Sequence, residues 1–391
     1  MTLEQWKQAK NILAVRLDSL GDVLMTTPAI RALKASQPRR RITLLTSSAG
    51  AKVAPLVPEI DDFIVYDSPW INLTAPRANS RPEYEMADEL RRRQFDAAAI
   101  FTVYSQNPLP AACLCYLADI PLRLAHCHEN PYQLLTEWVH DPEPQQFIRH
   151  EVQRQLDLVA SVGAASGASS EDEHLSLAIP AGATGYALSL LDEVGLNRER
   201  PWLVIHPGVT ALSRRYPPES YAEVARRLVV EKGYQVVFTG TGGEGELVGQ
   251  IQSDMGAPSI SVVDRLDLGQ MAALLALSPL LIANNTGPVH VAAAVGTPVV
   301  DLYALTNPQH TPWAVPHRVL CHDVPCKYCY RSVCPEGHHD CLRLVTPEAV
   351  VQAAGELLQG DEWLTPRRKG AKENPVSLAP VRESFSRRVL P

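Results

Sequence analysis

A chain of 391 residues, 46% apolar and 20% charged, has the composition of a globular protein with a substantial core and room for two domains. Its net charge of -7 argues against nucleic acid as a partner. The opening MTLEQWKQAK has no apolar segment of signal-peptide type, and the longest apolar stretch, Met271 to Ala283, is short for a bilayer and holds Pro279, so a soluble cytoplasmic protein is expected.

Ile12 to Leu17 (ILAVRL) predicts a short buried strand, followed by a helix from about Thr26 to Ser36. Arg41 to Ser47 predicts a second strand, with a short helix near Ala51. Phe63 to Asp67 and Phe95 to Phe101 predict the third and fourth. This alternation implies a parallel, doubly wound α/β sheet. Ser161 to Glu173 is small, polar and acidic, and reads as a linker or surface loop. The alternation then restarts with PWLVIHPG, YQVVFTGTGG, PLLIANNTGP and TPVVDLY. Two α/β domains of about 170 residues each follow from the pattern. After Thr365 the chain carries seven basic and two acidic residues and little periodicity, and reads as a flexible tail.

Ligands of open α/β sheets bind beyond the carboxyl ends of the strands, and each polar turn here lies at such an end. The first is Gly21-Asp22, where Asp22 is either a helix cap or a catalytic base. The second, residues 206–221 (HPGVTALSRRYPPESY), places Arg214 and Arg215 beside small and hydroxylic residues such as Thr210. That combination suits a diphosphate; solvated loop arginines are the plain alternative. The third, residues 239–247, sets Gly240, Gly242 and Gly245 in a G-x-G-x-x-G pattern, with Asp264 about 20 residues on. It supports a rival class, an NAD(P)-dependent oxidoreductase. The pattern sits mid-domain rather than in a first βαβ unit, and Glu244 or Glu246 is instead a candidate acceptor of hydrogen bonds from a ribose diol. The fourth, residues 284–298, puts Asn285, Thr286 and Gly287 at a strand end before a helix of small residues, with His290 in its first turn. Free N–H groups at a helix start hold phosphate.

Eight cysteines in a chain this long are not a secreted disulfide framework. Five lie between Cys321 and Cys341. Cys326 and Cys329 form C-x2-C, and Cys334, Cys341, His338 and His339 follow. A four-thiolate structural zinc is chemically open, buried reduced thiols are the favoured alternative, and no metal site is assigned.

Taken in order, these stretches resemble glycosyltransferase family 9, the heptosyltransferases that build the lipopolysaccharide inner core. ILAVRLDSLGDVLMTTPAIRALK, WLVIHPGVTALSRRYPPESYAEVARRL, NNTGPVHVAAAVGTPVVDLY and the segment ending GHHDCLRLVTPEAVV carry the likeness over most of residues 11–359. The resemblance implies a GT-B fold, two Rossmann-like domains facing across a cleft: an acceptor domain (1–170), a nucleotide-sugar domain (171–364) and the tail (365–391). It implies metal-independent, inverting transfer from ADP-heptose, with no cofactor, to a sugar hydroxyl of a lipopolysaccharide core or related glycolipid or oligosaccharide acceptor. Peripheral contact with the inner membrane face goes with such an acceptor. Asp22 matches the catalytic base. Arg16, Ser19 and Gly21 are assigned to the acceptor, and Thr210, Arg214, Glu244, Asn285, Thr286, Gly287 and His290 to the donor. Asn285 stands where some members have Asp. Another nucleotide sugar or acceptor is the alternative within the fold, and a non-catalytic nucleotide-sugar binder a further one. Arg16, Arg31, Lys34 and Arg39 to Arg41 make the first domain locally basic, which suggests an anionic acceptor.

Overall fold

Strands buried on both faces of a parallel sheet read as continuous apolar runs, and the predicted runs become such strands. The computed structural model describes residues 2–71, 76–165 and 173–359. The first sheet holds β1 (Asn11–Arg16), β2 (Arg41–Thr46), β3 (Asp62–Val65), β4 (Ala97–Ile100), β5 (Leu122–Cys127) and β6 (Glu137–His140), in the order β3-β2-β1-β4-β5-β6. The second holds β7 (Trp202–His206), β8 (Gln235–Phe238), β9 (Ile260–Ser261), β10 (Leu281–Asn284), β11 (Val299–Leu302) and β12 (His317–Leu320), in the order β12-β11-β10-β7-β8-β9. Neighbouring strands are parallel throughout. Counted within its own half, each sheet has the doubly wound order 3-2-1-4-5-6. The expected two-sheet α/β architecture is therefore present.

The described helices are α1 (Thr2–Gln8), α2 (Leu20–Ala35), α3 (Arg81–Arg93), α4 (Leu109–Leu117), α5 (Glu151–Ala160), α6 (Ala183–Glu193), α7 (Pro218–Val230), α8 (Gly245–Met255), α9 (Leu268–Leu277), α10 (Gly287–Val295), α11 (Asp340–Arg343) and α12 (Pro347–Gln359). Helix α2 starts at Leu20, six residues before the predicted Thr26, because Ser19 and Asp22 close a capping box around its first turn. Pro28 lies inside this helix and cannot donate to Leu24. The Thr27 hydroxyl takes over, donating to the Leu24 carbonyl at 2.7 Å. The helix expected near Ala51 is two short 3₁₀ turns, Gly50–Lys52 and Ala54–Leu56.

Part of the predicted linker (166–172) and the whole tail (365–391) lie outside the described residues. Beyond 172 the chain still runs on the first half. The carbonyl of His174 accepts from Arg31 (2.8 Å), Ser176 N donates to Thr27 Oγ1 (2.9 Å), and Ala178 N donates to the Leu56 carbonyl (2.7 Å). The anticipated break at 170/171 thus falls early. Some of the basic residues of the first half are held within the fold. Arg31 pairs with Glu59 at 2.8 Å and Lys34 with Asp61 at 2.7 Å, while buried Arg40 donates to the carbonyls of Trp6, Ala9 and Leu33. The local positive charge that suggested an anionic acceptor is thus offset at Arg31 and Lys34, while Arg39 and Arg41 lie exposed.

The halves touch along α2 and α10. Leu20 Cδ2 packs where a Cβ on Gly287 would sit 3.0 Å away, and a Cβ on Gly21 would lie 2.6 Å from Cδ2 of His290. Glu151 N donates to the Gln309 carbonyl at 3.0 Å. His150 accepts from Val152 N at Nδ1, so Nε2 carries the proton and donates to the Thr311 carbonyl at 2.9 Å, with the ring stacked on Trp313. Glycine at 21 is thus required by close approach. Gly21→Ala should destabilise the protein by about 1–3 kcal/mol, as overpacking does. Adding His290→Ala should recover most of that loss in denaturant midpoints; strictly additive penalties would show that the ring is not what the methyl meets.

Candidate active site at the facing switch points

A doubly wound sheet opens a crevice where its strand order reverses, between its first and fourth strands. In the first sheet this point lies between β1 and β4, in the second between β7 and β10. The turns leaving β1 and β10 carry Asp22 and the Asn285–His290 segment, and α2 and α10 bring them together.

Arg16, the last residue of β1, ends in the crevice wall with a side chain that has no exposed surface. Its guanidinium meets three carboxylates: Glu151 Oε1 at 2.7 Å, Asp18 Oδ2 at 3.0 Å and Asp22 Oδ1 at 3.2 Å. Asp22 is the third residue of α2 and not its cap. Its Oδ2 accepts from Ser19 N (3.0 Å) and from the Ser19 hydroxyl (2.6 Å). Its side chain keeps 14% exposure, and Oδ1 lies 3.9 Å from Nε2 of His310, which belongs to the second half. Burial pushes the Asp22 carboxyl up, but Arg16, then His310 and Ser19, outweigh it and hold the group well below the usual carboxylate range. Asp18 goes the other way. Burial, reinforced by Asp22 and Glu151, outweighs Arg16 and raises it to about 6. The two carboxyls on one guanidinium therefore differ: Asp22 stays ionised and Asp18 takes up a proton more readily.

In the second half, the turn after β7 carries Arg214 in a 3₁₀ turn, Leu212–Arg214. Arg214 Nε is buried with no hydrogen-bond partner, and the guanidinium is near enough to His290 and His310 to disfavour their protonation. Thr286 caps α10, and Gly287 opens it. His290 is buried beside Gly21; burial, with His310 next, pushes its imidazole down to about 3, so it is neutral. Burial likewise lowers His310, whose Nε2 has no hydrogen-bond partner. Among the described residues, Arg214 Nε and His310 Nε2 are thus buried polar atoms without a protein partner at the crevice.

The sequence-assigned residues fall into three groups. Asp22, Ser19, Gly21, Thr286, Gly287, His290 and Arg214 gather at the seam. Arg16 gathers with them, but its buried side chain touches only carboxylates, so it positions Asp22 rather than contacting an acceptor. Asn285 is also turned inward: its amide donates to Asp301 Oδ2 (2.9 Å) and to the His310 carbonyl (2.8 Å), so both donors are used within the protein. Buried Asp301 has its carboxyl pushed well up, and an aspartate at 285 would set a second carboxylate against it. Thr210 is exposed in the loop after β7. Glu244 closes a capping box with Thr241, at 2.7 Å from its N–H, and lies over Gly208, 4.0 Å from His206 Nε2. Asp18, Glu151 and His310 were not singled out in the sequence. Asp18 stands two residues from Arg16 in RLDS and is the one with a local signal.

The glycine pattern of residues 240–245 follows β8, one strand away from the second switch point, and the Asp264 carboxyl packs on Gly242, 3.1 Å from where a Cβ would be. The oxidoreductase reading required that loop to open the first βα unit of its half, a place taken by HPGVT after β7. In the cysteine segment, Cys326 Sγ is 3.7 Å from His338 Nε2, and all eight cysteines are free thiols. Among the described residues no three His, Cys, Asp or Glu side chains are arranged to hold a metal ion.

Residues 84–339 match the model of glycosyltransferase family 9 (heptosyltransferase). The chain is 25% identical over 362 residues to lipopolysaccharide heptosyltransferase 2 of Escherichia coli (strain K12), covering 90% of this chain and 99% of that one. Among solved structures it resembles the glycosyl transferase family 9 protein from Veillonella parvula DSM 2008, with a TM-score of 0.75, 25% identity and 89% and 97% of the two chains covered. It also resembles the E. coli ADP-heptose lps heptosyltransferase II, with a TM-score of 0.67, 25% identity and 89% and 98% covered. The facing doubly wound sheets, the carboxylate at their seam and the family match over most of the chain lead to one conclusion: this protein belongs to glycosyltransferase family 9 and is a GT-B glycosyltransferase.

Proposed function

We propose that the chain transfers a heptose from ADP-heptose to a sugar hydroxyl of a lipopolysaccharide inner core or a related glycolipid or oligosaccharide, with inversion. The observation that carries this reading is the position of Asp22. It is an ionised carboxylate anchored in the first half and 3.9 Å from a second-half imidazole, at the seam where an acceptor on one sheet meets a donor on the other. The acceptor oxygen attacks the anomeric carbon from the face opposite the diphosphate. The bond to the diphosphate oxygen breaks, and the hydroxyl proton passes to Asp22. Arg16 keeps Asp22 unprotonated, while Ser19 and the capping box fix its direction. The leaving diphosphate gains negative charge, which Arg214 and the N–H groups opening α10 at Thr286 and Gly287 are placed to offset. His290 presents a neutral ring to the same space.

The first half serves as acceptor domain and the second as donor domain, with the division after residue 178 rather than at 170. Glu244 and Thr210 are assigned to the outer, nucleoside side of the donor. No helix among the described residues is long and apolar enough to cross a membrane. The proposed acceptor brings the enzyme to the cytoplasmic face of the inner membrane as a peripheral visitor.

Ligand-induced stabilisation tests the donor: ADP should raise the thermal midpoint more than UDP, GDP or NAD at equal concentration. Asp22→Asn should keep the fold and the ADP affinity, since an amide oxygen still accepts from Ser19, yet lose about 10²-fold or more in turnover. Near-normal turnover in that variant rejects Asp22 as the base. Arg214→Ala should weaken ADP binding by at least about 1.5 kcal/mol in calorimetry, the low end for a hydrogen bond to a charged group. An unchanged affinity would remove Arg214 from the diphosphate site.

A further inference from the structure

A cavity of about 320 Å³ opens in the first half at Asp18, which shares the Arg16 guanidinium with Asp22. Asp18 follows β1 and forms one wall. Ser105, Gln106 and Asn107, from the turn after β4, form another, and Trp70 and Phe101 supply aromatic surface. The volume lies at the small end of ligand pockets, about 300–1,000 Å³, and admits one ring rather than a chain of them. Trp70 is braced edge-on by Tyr66, with centroids 5.7 Å apart.

The polar lining is built to accept hydrogen bonds. Asp18 Oδ1 takes one from Gln106 Nε2 at 2.5 Å, which leaves further lone pairs on the carboxylate. The carboxylate beside aromatic carbon matches a ring with hydroxyl donors on its edge and C–H groups on its face. Among the described residues lining this cavity there is no Lys, Arg or His. The one cation behind the wall, Arg16, is shared by Asp18, Asp22 and Glu151. Its charge cannot serve a ligand as well. A phosphate or carboxylate placed here meets the Asp18 carboxylate, whose one cation is already shared among three carboxylates, and like charges disfavour each other.

We infer that Asp18 is a specificity-determining residue: the cavity takes an uncharged sugar ring through its hydroxyls and turns away rings that carry phosphate or carboxylate. This deepens the transferase reading and rests on it for calling the ring an acceptor. It also departs from the anionic acceptor suggested by the basic residues of the first half, of which Arg16, Arg31 and Lys34 are paired with carboxylates.

Titration of the full-length protein, saturated with ADP, by ligand-observed NMR tests it with two probes: methyl α-mannopyranoside and its 6-phosphate. The neutral glycoside should bind at least tenfold more tightly. In Asp18→Asn the gap should narrow at least fivefold, with ADP affinity unchanged. Asn107→Lys adds a cation at the exposed rim, where folding is not at stake, and should raise the affinity for the 6-phosphate above that of the neutral ring. Equal binding of the two probes to the wild type, no saturable binding of either, or a gap untouched by both variants overturns the inference. Calorimetry with ADP alone keeps the two readings apart. If ADP fails to bind while the probes are still discriminated, the donor assignment falls and the charge selectivity of the cavity stands.

Discussion

One buried guanidinium holds the site together. Arg16 ends the central strand of the first sheet, has no exposed side-chain surface, and faces Glu151, Asp18 and Asp22 within 3.2 Å. Taking such a charge out of water is costly unless it is paired, and removing one member of a buried pair typically costs about 3–5 kcal/mol. The three carboxylates therefore cannot drift. Glu151 opens α5, a helix packed on α2, and its N–H is bonded to the Gln309 carbonyl of the second half. Arg16 thus links the central strand, the helix that carries the base and the segment that meets the other sheet.

Three negative charges on one positive charge leave an imbalance, and the protein resolves it unevenly. Asp22 has additional donors in Ser19 and a neighbour in His310, so it remains ionised. Among the described residues Asp18 has Gln106 besides Arg16, and burial raises its carboxyl to about 6. The second half follows the same rule with different residues. Asp301 is buried on β11, and its neighbour at position 285 is an amide that donates to it. An Asp there would have added charge to a site that already lacks a cation. The amide at 285 suits the buried carboxyl group it must satisfy.

The βα alternation made both sheets legible, because parallel strands buried on both faces leave continuous apolar runs such as Leu280 to Ala283 in PLLIANN. The strands that went unseen are short or lie near an edge: β9 has two residues, and β6 alternates between partly buried and exposed. β5 is fully buried but carries Arg123 and His126, whose polar ends reach backbone carbonyls, so its apolar signal is broken. In the site, Asp22, Thr286 and His290 were legible because each sits at a strand-to-helix turn. Glu151 and His310 were not, since what makes them matter is a partner more than a hundred residues away. The role of Arg16 was misjudged for the same reason. A basic residue at a strand end looks available for a ligand until the three carboxylates around it are seen.

The depressed pKa of Asp22 raises a chemical question, because a carboxylate so well stabilised is a weak base. The geometry answers it through the seam. Asp22 Oδ1 shares Arg16 and approaches His310 without reaching hydrogen-bond distance, and Nε2 of that imidazole has no other partner. A hydroxyl group entering between them accepts from one and donates to the other. In the proposed reaction the proton moves beside the close contact of Gly21 with His290, and the charge leaving the nucleophile is matched by the charge gathering on the diphosphate. Basicity need not be high if deprotonation is concerted with bond cleavage; what the base must supply is position. Position is what the Arg16 cluster and the capping box fix within the first half, and the close approach of Gly21 to His290 sets that position against the second half.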